Sequence, residues 1–121
     1  KERAHAIAQA ALRRRAERVV ILDMSEMTPM CDFFVICSGR SEIHVQAIAD
    51  EIRERLDEQG VVPAHVEGLP EGRWVLMDYL SVVVHLFSPE AREHYGLEYL
   101  WGDAPREEVE DEALSSASEQ G

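Results

Sequence analysis

Apolar side chains recur at three- and four-residue steps from Ala4 through Ile7, Ala8, Ala11 and Leu12, a narrow stripe that predicts an amphipathic helix over residues 3–17. Ala, Leu and Arg, all strong helix formers, fill that stretch, and Arg13, Arg14 and Arg15 suit the negative end of a helix dipole. The spacing then changes. Val19-Val20-Ile21-Leu22 and Phe33-Phe34-Val35-Ile36-Cys37 are short continuous apolar runs, read as strands buried on both faces. The connection from Ser25 to Pro29 separates them, and Ser38-Gly39 closes the second. Helical periodicity returns after Ser41, an N-cap type of residue. From Glu42 to Gln59, Val45, Ile48, Ile52 and Leu56 form the inward stripe, while Asp50, Glu51, Glu54, Asp57 and Glu58 form the wet side. Gly60 fits the left-handed position past the helix end.

The second half reads as β structure. Val61 to Glu67 predicts a short edge strand, since Pro63 has no N–H for a central ladder. A turn at Gly68–Gly72 leads to strands at Trp74–Tyr79 and Ser81–Phe87, close enough to pair as a hairpin. Ser88-Pro89 opens a helix toward Tyr95, and Leu97 to Trp101 adds a further helical turn. The order α-β-β-α-β-β-β-α predicts an α/β (α+β) fold: a single mixed sheet of about five strands flanked by helices. One domain over 1–104 is expected. From Pro105 the periodicity stops, and an acidic, Ser-containing stretch over 105–121 reads as a disordered tail.

Charge narrows the function classes. The 121 residues carry a formal net charge of −12. A broad phosphate grip needs a Lys/Arg surface, and docking on anionic lipid needs the same, so both are disfavoured. The distribution is uneven: residues 1–18 hold six basic and two acidic side chains, whereas 103–121 hold one basic and seven acidic. Cys31 and Cys37 sit in or beside apolar runs and read as buried free thiols. No targeting, lipidation or membrane-spanning pattern is visible, which fits a cytoplasmic protein.

Enzymatic chemistry finds little to work with. The histidines form no H-x-x-x-H, and no C-x-x-C completes a zinc set. His85, inside a strand, reads as a hydrogen-bonded structural residue. His44, in the first turn of the long helix near Ser38, Gly39 and Ser41, is the more interesting one, but a polar helix start accounts for it more simply than catalysis does. Triad residue types are present without a G-x-S-x-G elbow. The strand-loop-helix step through Ser38-Gly39-Arg40-Ser41 could hold an anion, which motivates an alternative: a metal-dependent nucleotidyltransferase or phosphohydrolase. Its Mg²⁺ would need a carboxylate pair, and the strand offers only Asp78. No cofactor or metal is expected.

The hairpin holds a different kind of chemistry. Two-residue alternation puts Trp74, Leu76 and Asp78 on one face and Val75, Met77 and Tyr79 on the other. An Asp in line with Trp and Leu suggests a face that is not wholly core, and Trp, Tyr and Leu near an acid compose a protein-docking hot spot. On spacing alone, ordinary core aromatics fit Trp74 and Tyr79 equally well.

Several segments carry a family resemblance. They are Asp32-Phe33-Phe34-Val35-Ile36-Cys37-Ser38-Gly39, Ser41-x-x-His44-Val45-x-Ala47-Ile48-Ala49-Asp50, Gly72-x-Trp74-Val75-Leu76-x-Asp78-Tyr79, Val82-Val83-Val84-His85-x-Phe87, and Arg92-x-x-Tyr95-x-Leu97-Glu98-x-Leu100-Trp101-x-Asp103-Ala104. In order and spacing, over nearly all of 5–104, the chain resembles the bacterial ribosomal silencing factor family, the Iojap-related proteins. The resemblance implies a nucleotidyltransferase-like sandwich without the catalytic set, and a non-enzymatic translational repressor in the cytoplasm. It implies docking on large-subunit ribosomal protein L-fourteen, steric exclusion of the small subunit, and a homodimer in isolation. Carried over, the docking residues would be Trp74, Leu76, Asp78 and Tyr79, supported by Ser41 and His44. Where the family commonly has Gly-Asp after the first hairpin strand, this chain has Leu80-Ser81. Without the glycine, a turn with φ > 0 is not expected, and Leu80 would sit at the tip of a longer or differently twisted hairpin.

Overall fold

The computed structural model describes residues 1–111. Its elements are α1 (Glu2–Arg13), β1 (Glu17–Asp23), β2 (Phe33–Ser38), α2 (Glu42–Glu58), β3 (His65–Glu67), β4 (Trp74–Asp78), β5 (Val82–Phe87), α3 (Pro89–Tyr95), α4 (Leu97–Leu100) and β6 (Arg106–Glu108). One six-stranded sheet has the order β3-β4-β5-β2-β1-β6. Only β2 and β5 run parallel; every other neighbour is antiparallel. The mixed sheet with flanking helices is the expected fold class, with six strands in place of about five.

The additional strand comes from the stretch expected to be tail. Arg106, Glu107 and Glu108 pair with Leu22, Ile21 and Val20 of β1. Three exposed charged side chains show no apolar alternation, so the pattern could not reveal a strand whose stabilisation comes from its backbone. The remainder of that stretch, 112–121, lies outside the described residues. β3 is shorter than expected: only His65–Glu67 pairs, because Val61 donates instead to Leu56 at the α2 end.

The sheet divides the core in two. On one side, α1 (Ala4, Ile7, Ala8, Ala11) and α2 (Val45, Ile48, Ile52, Leu56) pack on Val19, Ile21, Val35, Cys37, Val75, Met77, Val84 and Leu86. On the other, Val20, Leu22, Ile36 and Phe87 meet Met24, Cys31, Ala91 and Ala104. Adjacent residues of β1 and β2 thus enter opposite cores, which explains their continuous apolar runs. Both cysteines are free and buried, and burial pushes the Cys37 thiol up to about 12.

The caps follow the sequence. Ser41 Oγ accepts from His44 N–H, Ser88 Oγ accepts from Ala91 N–H, and Gly60 takes φ 76° past α2. Two glycines position β4. Gly72 (φ 72°) approaches α2 so closely that a Cβ would lie 2.6 Å from the Glu42 carbonyl oxygen. At Gly68 (φ 79°) a Cβ would lie 1.9 Å from the Trp74 carbonyl oxygen. Neither site tolerates a side chain, so the turn delivers Trp74 to a fixed place at the strand's start.

Candidate partner-docking face

Register places the candidate residues. Trp74 pairs with Phe87, Leu76 with His85, and Asp78 with Val83 across β4 and β5. On β5 and β2, Phe87 pairs with Ser38, His85 with Ile36, and Val83 with Phe34. All of these share one face of the sheet, away from α1 and α2. The short helices α3 and α4, with Trp101 and Ala104, cover the β1–β2–β5 half of that face, where Val20, Leu22, Ile36 and Phe87 are buried. Toward β4 the cover ends: Trp74, Leu76, Asp78, Val83 and Phe34 are all half-buried.

Trp74 is held on three sides. Its ring lies 5.3 Å from Phe87 and 4.5 Å from Tyr95, both tilted, and its Nε1–H donates to His85 Nδ1 at 3.1 Å. Phe34 meets His85 edge-on at 4.6 Å and Trp101 edge-on at 6.3 Å. Such a cluster loses little side-chain entropy when a partner covers it, because its rings are already fixed. Burial pulls the His85 pKa down to about 4, which keeps the ring neutral and able to accept from Trp74.

A buried arginine anchors the covered half. Arg92 Nη1 donates to the Arg18 carbonyl (2.7 Å) and to Ser38 Oγ (2.9 Å), and its Nε donates to Glu98 (2.9 Å). The Arg18 carbonyl is offered by an extra residue in β1, where Arg18 takes φ 51° and the β1–β2 register shifts. The hydrogen bond from Arg92, aided by the Arg92 and Arg106 charges, holds the Glu98 carboxyl below its ordinary range. This ties α3 and α4 to the sheet and fixes Tyr95 and Trp101 around the open half.

The remaining expected site residues are elsewhere. Tyr79 is 3% exposed and belongs to the core beneath the long helices, so it cannot touch a partner on the Trp74 face. Asp78 shares the Trp74 face, but its Oδ1 accepts from Leu80 N–H at 2.8 Å and shapes the hairpin tip. Ser41 and His44 sit across the sheet, in the helical layer. His44 Nδ1 accepts from Arg40 N–H at 2.8 Å, and its Nε2 donates to the Arg14 carbonyl, clamping the end of α1 to the start of α2. Leu80 departs from expectation as well. Its φ is 70°, so the left-handed turn is kept without glycine, with the side chain 69% exposed at the tip.

Sequence reasoning missed Phe34, His85, Tyr95 and Trp101 as members of the face. The alternation in β5 and β2 carried the signal for the first two: Val83, His85 and Phe87 share a face, and parallel pairing extends it to Phe34. The Ser38–Ser41 loop and Asp78 are not brought together. Ser38 is at the Trp74 end of the sheet, and Asp78 is at the opposite end of β4. Among the described residues, no group of three or more His, Cys, Asp or Glu is placed to hold a metal ion, and no helix is long and apolar enough to cross a membrane.

Fold and face together define a mixed α/β sandwich that offers a fixed aromatic surface. Comparison with known proteins places it more closely. The family model described as "Ribosomal silencing factor during starvation" matches residues 1–121, and the chain belongs to that family. It is 49% identical over 92 residues to the ribosomal silencing factor of Bacillus subtilis, covering 76% of this chain and 78% of that one. The Halalkalibacterium halodurans protein of the same name is 48% identical over 97 residues, covering 80% and 83%. A crystal structure from Chromobacterium violaceum superposes with TM-score 0.81 at 33% identity, over 84% of each chain. A crystal structure from Bacillus halodurans gives TM-score 0.78 at 41% identity, over 90% of this chain and all of that one.

Proposed function

We propose that the protein is a cytoplasmic translational repressor that docks on ribosomal protein L-fourteen of the large subunit and sterically blocks joining of the small subunit. Family membership supports the ribosomal role. The observation that carries the docking site is the half-covered sheet face, where Trp74 and Leu76 stay half-buried beside fixed aromatic rings. A rigid aromatic anchor at the centre of an apolar patch is the composition of an interaction hot spot. No bond is made or broken in this mechanism, and it needs no cofactor: occupancy of the joining face is sufficient. In isolation the same apolar face pairs two copies into a homodimer. Asp78, Glu67 and the acidic body complement a basic partner around the anchor.

Sedimentation with isolated large subunits, together with a subunit-joining assay, tests the reading. Stoichiometric protein should co-sediment with large subunits and suppress joining. Trp74→Ala should weaken binding by at least about 1 kcal/mol while its far-ultraviolet circular dichroism stays unchanged. Undiminished joining in the presence of saturating protein would overturn the proposal.

A further inference from the structure

Four arginines surround one concavity of about 460 Å³ on the helical layer: Arg13, Arg14, Arg15 and Arg40, with Ser41 and His44 between them. They come from the last turn of α1, the turn after it, and the β2–α2 loop. The His44 clamp, from Arg40 N–H to the Arg14 carbonyl, holds these segments together. Concentrated positive charge on a chain of net −12 calls for a cause. Helix-end capping accounts for Arg13 and Arg14. It also reaches Arg15, which closes the helix end at φ 62° with its N–H on the Leu12 carbonyl, but it does not account for Arg40, which belongs to another segment. Arg14 is paired with Glu51 at 3.1 Å and Arg40 with Glu17 at 3.2 Å. Arg13 and Arg15 are exposed and form no ion pair among the described residues.

The concavity has a defined place relative to the docking face. Trp74, Phe87, Ser38 and Glu17 form one register row across β4, β5, β2 and β1. Arg40 follows Ser38 by two residues and pairs with Glu17, so it lies at the Trp74 end of the sheet. Three strand spacings, roughly 14 Å, separate Trp74 from Glu17. The concavity opens on the helical layer, across the sheet from the Trp74 face, so a partner that covers Trp74 reaches the arginines by wrapping past this end. On a large subunit the ground next to a ribosomal protein is RNA, and guanidinium groups match phosphate oxygens in bidentate geometry.

We propose that Arg13, Arg14, Arg15 and Arg40 form a second contact, to the sugar-phosphate backbone of large-subunit RNA beside the docked protein. The proposal rests on the docking reading above and extends it. It is a local grip of two to four phosphates, compatible with an acidic body that repels RNA elsewhere.

The double variant Arg13→Gln/Arg15→Gln tests it, since neither side chain makes an ion pair among the described residues. Binding to large subunits and to isolated ribosomal protein L-fourteen is measured across monovalent salt concentrations. The expected result is about a tenfold loss of affinity for subunits near 0.1 M salt, and a plot of log K against log[salt] shallower by about 1.5, two phosphate contacts' worth. Affinity for the isolated protein stays unchanged, and Arg13→Lys/Arg15→Lys keeps the steep slope. Long-range repulsion between the acidic body and RNA is common to all forms and cancels in the comparison. An unchanged slope, or an equal loss against the isolated protein, overturns the arginine contact. If Trp74→Ala weakens subunit binding and the arginine variant does not, this contact alone falls. If wild-type protein binds no subunits, the docking reading itself fails.

Discussion

At the scale of single residues, what a side chain does depends on whether its face of the sheet is covered. Trp74 and Leu76 face the open side and Tyr79 the closed side, as alternation requires. Alternation does not say which face lacks a cover, so it could not separate anchor from core. Asp78 and His44 show the same limit: each is spent on a backbone hydrogen bond that depends on the fold. Leu80 supports a direct prediction. A side-chain-bearing residue in the left-handed region costs about 1–2 kcal/mol, and glycine returns about 0.4–1 kcal/mol through its freer unfolded chain. Leu80→Gly should therefore stabilise the fold by a net gain of up to about 1.6 kcal/mol, read as a higher urea midpoint at constant m-value. A lower midpoint would show that the exposed leucine contributes packing. His85 supports another. Its folded pKa, about 4, lies below the ordinary 6.5, so the unfolded chain binds the proton more readily between these values. The contribution is fully present above pH 6.5 and is lost as pH falls toward 4, on the order of 3 kcal/mol by then. His5 runs the other way, its pKa raised by Glu107, but it is partly exposed and its effect is small. His85→Gln keeps an acceptor for Trp74 and removes the titration. The difference between wild-type and variant unfolding free energies should therefore narrow across this window, and a constant difference would contradict the assignment.

At the scale of elements, the strands and helices that enclose apolar side chains were legible, and the one built from charged residues was not. β1, β2, α2 and the β4–β5 hairpin announce themselves because burial dictates their residue types. β6 is a consequence of tertiary pairing, since Arg106, Glu107 and Glu108 expose their side chains and contribute backbone. It shields the β1 edge, which would otherwise present unpaired N–H and C=O groups. Asp23 N–H donates to the Pro105 carbonyl (2.8 Å), and Val109 N–H donates to the Val19 carbonyl (2.9 Å). Arg106 reaches Glu98 at 2.9 Å, and Glu107 reaches His5 at 2.8 Å. A chain ending at Ala104 loses all of these. Backbone hydrogen bonds contribute about 1 kcal/mol each, offset in part by the ordering entropy of the segment. The truncated chain should be less stable by about 2 kcal/mol, a fall in Tm near 10 °C in thermal unfolding. An unchanged Tm would return residues 105–111 to the role of tail.

At the scale of the whole molecule, apolar area and charge act in opposite directions on the proposed pairing of two copies. The hairpin was readable, but the parallel β2–β5 pairing that joins the two halves of the sheet was not, because a crossover through α2 leaves no local signature in sequence. That pairing makes the face continuous from Phe34 to Trp74. Charge opposes the union. Each copy carries −12, and two such bodies repel over a range set by the Debye length, about 10 Å at 0.1 M salt. The proposed contact is apolar, and salt does not weaken such a contact. Dimerisation should therefore strengthen as salt rises, opposite in sign to the arginine contribution to subunit binding, which weakens as salt rises. Analytical ultracentrifugation at 0.05 M and 0.5 M monovalent salt should show a lower dimer dissociation constant at the higher concentration. Leu76→Arg, which places a charge in the middle of the face, should leave monomer at both. A dimer that dissociates with added salt would mean that ion pairs, not the aromatic face, hold the two copies together.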